Sequence, residues 1–228
     1  MDGTHTPDME PAIVELRQYR TVPGRRDDLI ALFEREFVRE QQRLGIVLLG
    51  WFREPGDPDR FTWLRGFSDY EARGNATRDF YDGAVWQRFR NEANASLDDS
   101  DDVFMLQAAW PNSGMSIPKR PIARATDATS SYADLVIAHI APQHAPEVIE
   151  DLRSWSEGGI PGAGFYVTLQ RANNYPRLPI HEDVFVIVGI VPSHRTDGRA
   201  LASEMGERLQ RWLTQPLEAR RLQIAGPA

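Results

Sequence analysis

The chain has 228 residues, 41% hydrophobic and 26% charged, an ordinary globular mixture that excludes disorder for its bulk. Lysine and arginine number 26 against 33 acidic residues, and the net charge of −7 disfavours nucleic acid and anionic membranes as partners. No cysteine is present, which excludes disulfides, thiolate catalysis, zinc ribbons and iron–sulfur clusters.

Residues 1–11 carry Asp2, Asp8 and Glu10 and read as an extended or unstructured segment without the basic and apolar regions of a signal peptide. No apolar run reaches the ~20 residues of a membrane helix, so the expectation is a soluble cytoplasmic protein. Ile13 to Tyr19 alternates as a strand, and Pro23-Gly24 turns the chain. Leu29, Leu32, Phe33 and Phe37 recur at helical spacing and predict a helix over 26–43. Strands follow at 46–53 and 61–67, separated by the turn Glu54-Pro-Gly-Asp-Pro58. Ser68 reads as the N-cap of a helix over 69–78, and a short helix carrying Trp86 and Phe89 precedes a strand at 103–108.

Residues 110–131, rich in Pro, Ser and Thr, have the composition of a linker between a domain over 12–109 and a second over 132–226. Beyond it the pattern repeats: strand 135–140, helix 146–155, strand 165–171, a loop over 173–183, strand 184–191, helix 197–214 and a last strand 221–225. Each half reads β-α-β-β-α-β. The expected fold class is α+β: two tandem ferredoxin-like domains packed sheet to sheet as a pseudo-dimeric α+β barrel in one chain. A homodimer of the tandem chain is compatible with that architecture.

The first half carries several ordered motifs. Glu15-Leu-Arg-Gln-Tyr19 is followed by Pro23-Gly24, Gly50-Trp51 by Glu54-Pro-Gly56, and Phe67-Ser-Asp-Tyr-Glu-Ala-Arg73 by Phe80-Tyr-Asp-Gly-Ala-Val-Trp86. Over residues 12–108 these resemble the NIPSNAP family, within the dimeric α+β barrel superfamily. That superfamily includes cofactor-free monooxygenases, haem-binding enzymes, lactone isomerases and polyketide cyclases, whereas NIPSNAP domains have no single settled activity. The second half keeps the element order without the motifs.

No nucleophile elbow, P-loop, dinucleotide fingerprint or HExxH motif occurs. His181-Glu-Asp183 with His194 straddles a loop and a strand, and Asp98–Asp102 lacks the calcium-loop glycine and glutamate, so no metal site is expected. Strand parity is more informative. Glu15, Arg17 and Tyr19 share one face, and Trp63, Arg65 and Phe67 of the third strand join them. That face is expected to point between the sheets, with Val14, Leu16 and Leu64 under the helices and Gly66 letting a helix approach. The opposite wall would be Leu135, Ile137 and His139 with Val186, Val188 and Ile190.

Such an interior suits a small amphiphilic or aromatic molecule held by Arg17, Arg65, Trp63, Phe67, Ile137 and Val188. In an enzyme, His139 or Glu15 would take a proton while Tyr19, Arg17 and Arg65 hold an enolate, for isomerisation, cyclisation or oxygenation without a cofactor. The alternatives are a non-catalytic binding module, with Glu15, Arg17 and Arg65 as an ion network between sheets, and haem binding through His139 or His144.

Overall fold

A computed structural model describes residues 10–115, 132–156, 163–193 and 199–226. The first half runs β1 (Ile13–Thr21), α1 (Arg26–Leu32), a π-helical turn (Phe33–Phe37), α2 (Val38–Arg43), β2 (Val47–Glu54) and β3 (Asp57–Phe67). It continues with α3 (Tyr70–Asp82), α4 (Ala84–Asn94), β4 (Leu97–Asp99) and β5 (Val103–Ala108). The second half runs β6 (Tyr132–His139), α5 (Ala145–Ser156), β7 (Gly164–Thr168), β8 (Val186–Ser193), α6 (Arg199–Leu209) and β9 (Glu218–Gly226).

Eight strands close into one antiparallel barrel in the order β3-β2-β9-β6-β8-β7-β5-β1, with β1 returning to β3; β4 adds a short pairing on the end of β1. Each half contributes four strands in equivalent order, β5-β1-β3-β2 and β9-β6-β8-β7. The halves meet edge to edge, through Phe52 opposite Ile224 on one side and Gln107 opposite Val167 on the other. The expected barrel is present, and its two sheets are joined as well as packed face to face: their edge strands hydrogen-bond across the boundary. Closure satisfies the backbone donors and acceptors that two open sheets would leave at four edges.

The barrel interior is filled by aliphatic and aromatic side chains of both halves, among them Val14, Leu16, Leu64, Leu135, Ile137 and Val188. Helices cover the outside. In the second half the outer sheet face is mainly apolar, with Val136, Ala138 and Ile187 against Val148, Leu152 and Met205 and with Asp134 near the start of β6. In the first, aromatic rings dominate: Phe33 meets Trp63 at 5.0 Å, Trp51 at 5.5 Å and Phe61 at 5.6 Å.

This settles strand parity, and it reverses the first-half expectation. Val14 and Leu16 face the interior, whereas Glu15, Arg17 and Tyr19 lie under the helices on the side of Leu32 and Phe33. Because strand side chains alternate strictly, Trp63, Arg65 and Phe67 change face with them. Gly66 admits no helix; a Cβ there would stand 2.5 Å from Pro11, so the glycine makes room for the chain entering β1. The second-half parity is as expected.

Smaller differences have local causes. Asp69, not Ser68, caps α3, its carboxylate accepting from the Ala72 amide at 2.7 Å. Residues 110–115 are not free linker: Trp110 stacks on Phe165 at 5.3 Å, and the Phe165 amide donates to the Ser113 carbonyl. The remainder of the expected linker, 116–131, lies outside the described residues.

Candidate functional site

The charged face of β1 and β3 gathers a buried cluster beneath α2 and α3. Glu15 is fully buried and receives three guanidinium bonds of 2.7 Å each: Arg17 Nη1 and Arg65 Nε donate to Oε2, and Arg73 Nε donates to Oε1. Cross-strand pairing of Glu15 with Arg65 and of Arg17 with Trp63 sets these neighbours in register. Arg73 comes from α3, where Arg73, Thr77 and Tyr81 recur every four residues and line the buried side. Arg17 Nε also donates to the Tyr19 hydroxyl at 2.8 Å.

The π-helical turn inserts extra backbone into the first helix and re-aims the side chains beyond it. Phe37 then packs on Phe80 at 5.6 Å, and the Gln41 carboxamide oxygen accepts from Arg65 Nη1 at 3.4 Å. Guanidiniums and rings are interleaved: Arg17 lies 5.4 Å from the Tyr19 ring centroid, and Arg65 lies 5.4 Å from that of Trp63 and 5.3 Å from that of Phe67.

Three guanidiniums therefore share one carboxylate, and a guanidinium stays charged when buried. Burial would raise the Glu15 carboxyl, but Arg65, Arg17 and Arg73 outweigh it and hold Glu15 well below the usual carboxylate range. Glu15 is thus a fixed anion, and its expected role as a base is withdrawn. Arg73 shows the opposite side of the imbalance. Burial pushes its guanidinium below the ordinary value, with Arg65 and Arg17 adding to the push against Glu15. Neither Arg65 nor Arg73 makes a two-bond fork to Glu15, and Arg65 Nη2 and Arg73 Nη2 have no hydrogen-bond partner. Trp63 Nε1 and Thr77 Oγ1 are likewise unpaired and buried. Buried polar atoms are rarely left in this state, and here they concentrate around surplus positive charge.

Glu15, Arg17, Tyr19, Arg65, Trp63 and Phe67 are thus brought together, although on the helix side of the sheet. Ile137 and Val188 are barrel-interior residues and do not meet them. His139 ends β6 on the interior side: its Nε2 lies 3.4 Å from Glu218, and its ring lies 6.2 Å from that of Phe104. It borders an open cleft of about 350 Å³ with Thr168, Gln170, Glu182 and Asp183, so the pairing of a His139 base with the Arg17 anion holder is corrected. His181 pairs with Asp102 at 3.1 Å, and His194 lies outside the described residues. Among the described residues no group of three or more His, Asp or Glu is disposed to hold a metal, and no helix is long and apolar enough to cross a membrane.

Sequence reasoning missed Arg73, Thr77 and Gln41, together with Asn173 and Asn174, whose side-chain oxygens accept from Arg73 Nη1. The signal for Arg73 and Thr77 was present, since the core side of an amphipathic helix over 70–82 reads polar at both positions.

Over nearly the whole chain the architecture is similar to three solved structures. A candidate monooxygenase from Fusobacterium nucleatum aligns with a TM-score of 0.60 at 11% identity, covering 96% of this chain and 94% of that one. A candidate monooxygenase from Lactobacillus acidophilus gives 0.59 at 10% identity, covering 94% of each. An anthrone oxidase-like protein gives 0.56 at 13% identity, covering 96% and 95%. At these identities the likeness is one of fold. No curated protein matches the sequence. Residues 14–111, which span the whole guanidinium cluster, match the NIPSNAP family model. The first half of the chain is a NIPSNAP-family domain.

Proposed function

We propose that the NIPSNAP half binds a small aromatic acid, or an aromatic enol held as its anion, between the sheet and its helices. One observation carries the reading: three buried guanidiniums face a single carboxylate, and Arg65 Nη2, Arg73 Nη2 and Trp63 Nε1 keep unused donors. The aromatic surround of Phe33, Trp63, Tyr19 and Tyr81 supports a ligand with a flat apolar body. An anionic oxygen would accept from the unused donors, and Arg17 and Tyr19 would steady the charge.

The same surplus of positive charge lowers the pKa of a bound enol or phenol. This is how the cluster would favour a substrate anion, its proton passing to solvent, as the start of isomerisation, cyclisation or, with dioxygen as oxidant, oxygenation; proteins named for oxygenation and anthrone oxidation share the fold. Binding is the primary form of the proposal, because Glu15, the carboxylate of the cluster, is held ionised and takes no proton. No cofactor enters the reading. Haem through His139 or His144 stays outside the reading, because His139 Nε2 lies 3.4 Å from Glu218 and away from the guanidinium cluster. The equivalent strand orders support two duplicated ferredoxin-like units.

Calorimetric titration with benzoate, and with methyl benzoate as the uncharged control, tests the reading. Benzoate should bind and the ester should not. Arg73→Met should weaken benzoate by about 10- to 100-fold, the worth of a hydrogen bond to a charged group. It should also fold, since Glu15 keeps Arg17 and Arg65. Equal affinity for acid and ester, or for wild type and Arg73→Met, would overturn the proposal.

A further inference from the structure

The connections between equivalent strands of the two halves differ greatly. β2 passes to β3 through Pro55 and Gly56 alone, whereas β7 reaches β8 through residues 169–185, without a helix or strand of their own. A connection this long in a compact protein is usually functional or disordered, and this one is ordered. It lies across α3 of the other half, over the guanidinium cluster. Asn173 and Asn174 both accept from Arg73 Nη1, the first at 3.1 Å, and the Asn174 amide nitrogen donates to the Tyr70 carbonyl. Tyr70 donates to the Ala172 carbonyl, and the Arg171 guanidinium sits 3.9 Å from the Tyr70 ring centroid. Further along, Tyr175 stacks on Tyr81 at 6.0 Å, and Arg177 pairs with Asp82 at 2.8 Å. Gly74 is what permits this approach, since a Cβ there would stand 2.8 Å from the Asn174 amide nitrogen.

We propose that the β7–β8 loop is the lid of the anion site, and that the Asn173 and Asn174 carboxamides occupy on Arg73 the place an entering carboxylate takes. This rests on the reading that the cluster receives an anion. A carboxamide oxygen and a carboxylate oxygen are alike in size and acceptor geometry, but only the second brings charge. The bonds from Arg73 to the carboxamides are already charge-assisted, and a carboxylate adds to them the Coulomb attraction of its own charge in a buried setting. A ligand carboxylate therefore displaces the amides, whereas a neutral compound of the same shape does not, and the lid enforces selection for anions. Contacts near the loop tip suit release: the Tyr70–Ala172 bond and the Arg177–Asp82 pair are both exposed and individually weak. Leu169, Leu178 and Ile180 pack on the first-half core and anchor the loop on either side of the tip. The fusion thus gives the halves different tasks, one holding the site and the other its cover.

Two loop variants, titrated with benzoate, test the lid. Asn173→Ala with Asn174→Ala removes the competing acceptors and should tighten benzoate by about tenfold. Asn174→Asp supplies a tethered carboxylate; it should weaken benzoate at least tenfold while raising the melting temperature. Hydrogen–deuterium exchange across residues 169–178 of the wild type should accelerate on saturation with benzoate. If wild type binds benzoate but both variants bind it equally well and exchange does not change, the lid is overturned and the anion site stands. If none of the three proteins binds benzoate, the anion reading fails and the lid with it.

Discussion

Both halves bring four strands in equivalent order to a common aliphatic interior, yet their helix-facing surfaces are built from opposite materials. On β1 and β3 that surface carries Glu15, Arg17 and Arg65. On β6 and β8 it carries Val136, Ala138 and Ile187, with buried Asp134 near the start of β6, opposite Arg221 of β9. The difference teaches where a barrel built from two halves can hold polar groups. The interior is shared, so a charge placed there by one half has to be met by the other: buried Glu54 accepts from Thr62 and lies 3.8 Å from Arg220 of the second half, which also donates to Gln18. Under the first-half helices, α3 supplies Arg73 and the β7–β8 loop supplies Asn173 and Asn174, so a guanidinium cluster finds partners there, while the second half keeps a mainly apolar core.

The sharpest way to break this comparison is to move the charge. Val136→Glu puts a carboxylate under α5 and α6 with no guanidinium cluster built to receive it. It should destabilise the protein by about 5 kcal/mol, the upper end for an uncompensated buried charge. Urea denaturation followed by tryptophan fluorescence reads this directly. A variant as stable as wild type would show that the two outer faces are interchangeable.

Removing the anion from the first half should cost somewhat less. Glu15→Gln leaves three guanidiniums facing one another and is expected to lose about 3–4 kcal/mol. It also changes the pH dependence, and the sign comes from the depressed carboxyl. A group whose folded pKa lies below its unfolded value of about 4.3 contributes fully above that value and loses its contribution as the pH falls through the folded one. Wild type should therefore lose stability steeply below about pH 4, and Glu15→Gln should show a shallower acid limb. Identical acid limbs would mean that Glu15 is not held by the cluster.

The element order was legible in the sequence because helical periodicity, turns and strand alternation agree, and β5 falls at 103–108 as read. The face of β1 was not. Alternation in Glu15-Leu-Arg-Gln-Tyr19 fixes which residues share a side but not which side meets the interior, and Gly66 misled because the chain at Pro11, not a helix, fills its space. On β6 the same ambiguity did no harm, since both faces are apolar and the interior assignment happened to hold. Composition of the candidate site was largely readable from β1 and β3. Its third arginine and its asparagines were not, because α3 is separated from β1 by more than fifty residues and the β7–β8 loop by more than a hundred and fifty. Such meetings are products of topology.

The smallest effect concerns the seam where the halves meet at one end of the barrel. There Asp102, just before β5, accepts from Gln18 at 3.1 Å, lies 3.5 Å from Arg60, and pairs at 3.1 Å with His181 of the second half. The Asp102 hydrogen bond raises the His181 pKa against the opposing effect of burial, and the charges of Asp102, Asp99 and Glu218 add to it. A histidine whose folded pKa is raised stabilises fully below its unfolded value, near 6.5, and loses that contribution as the pH rises through the folded value. The pair is partly exposed and screened, so the stability lost between pH 6 and pH 9 should be about 0.5 kcal/mol or less. His181→Gln should flatten that shallow slope and leave the acid limb intact, whereas Glu15→Gln should do the reverse. Two variants with two separate pH windows would locate one electrostatic device at the seam and the other inside a single half. If His181→Gln instead alters the acid limb, the two networks are coupled through the barrel wall.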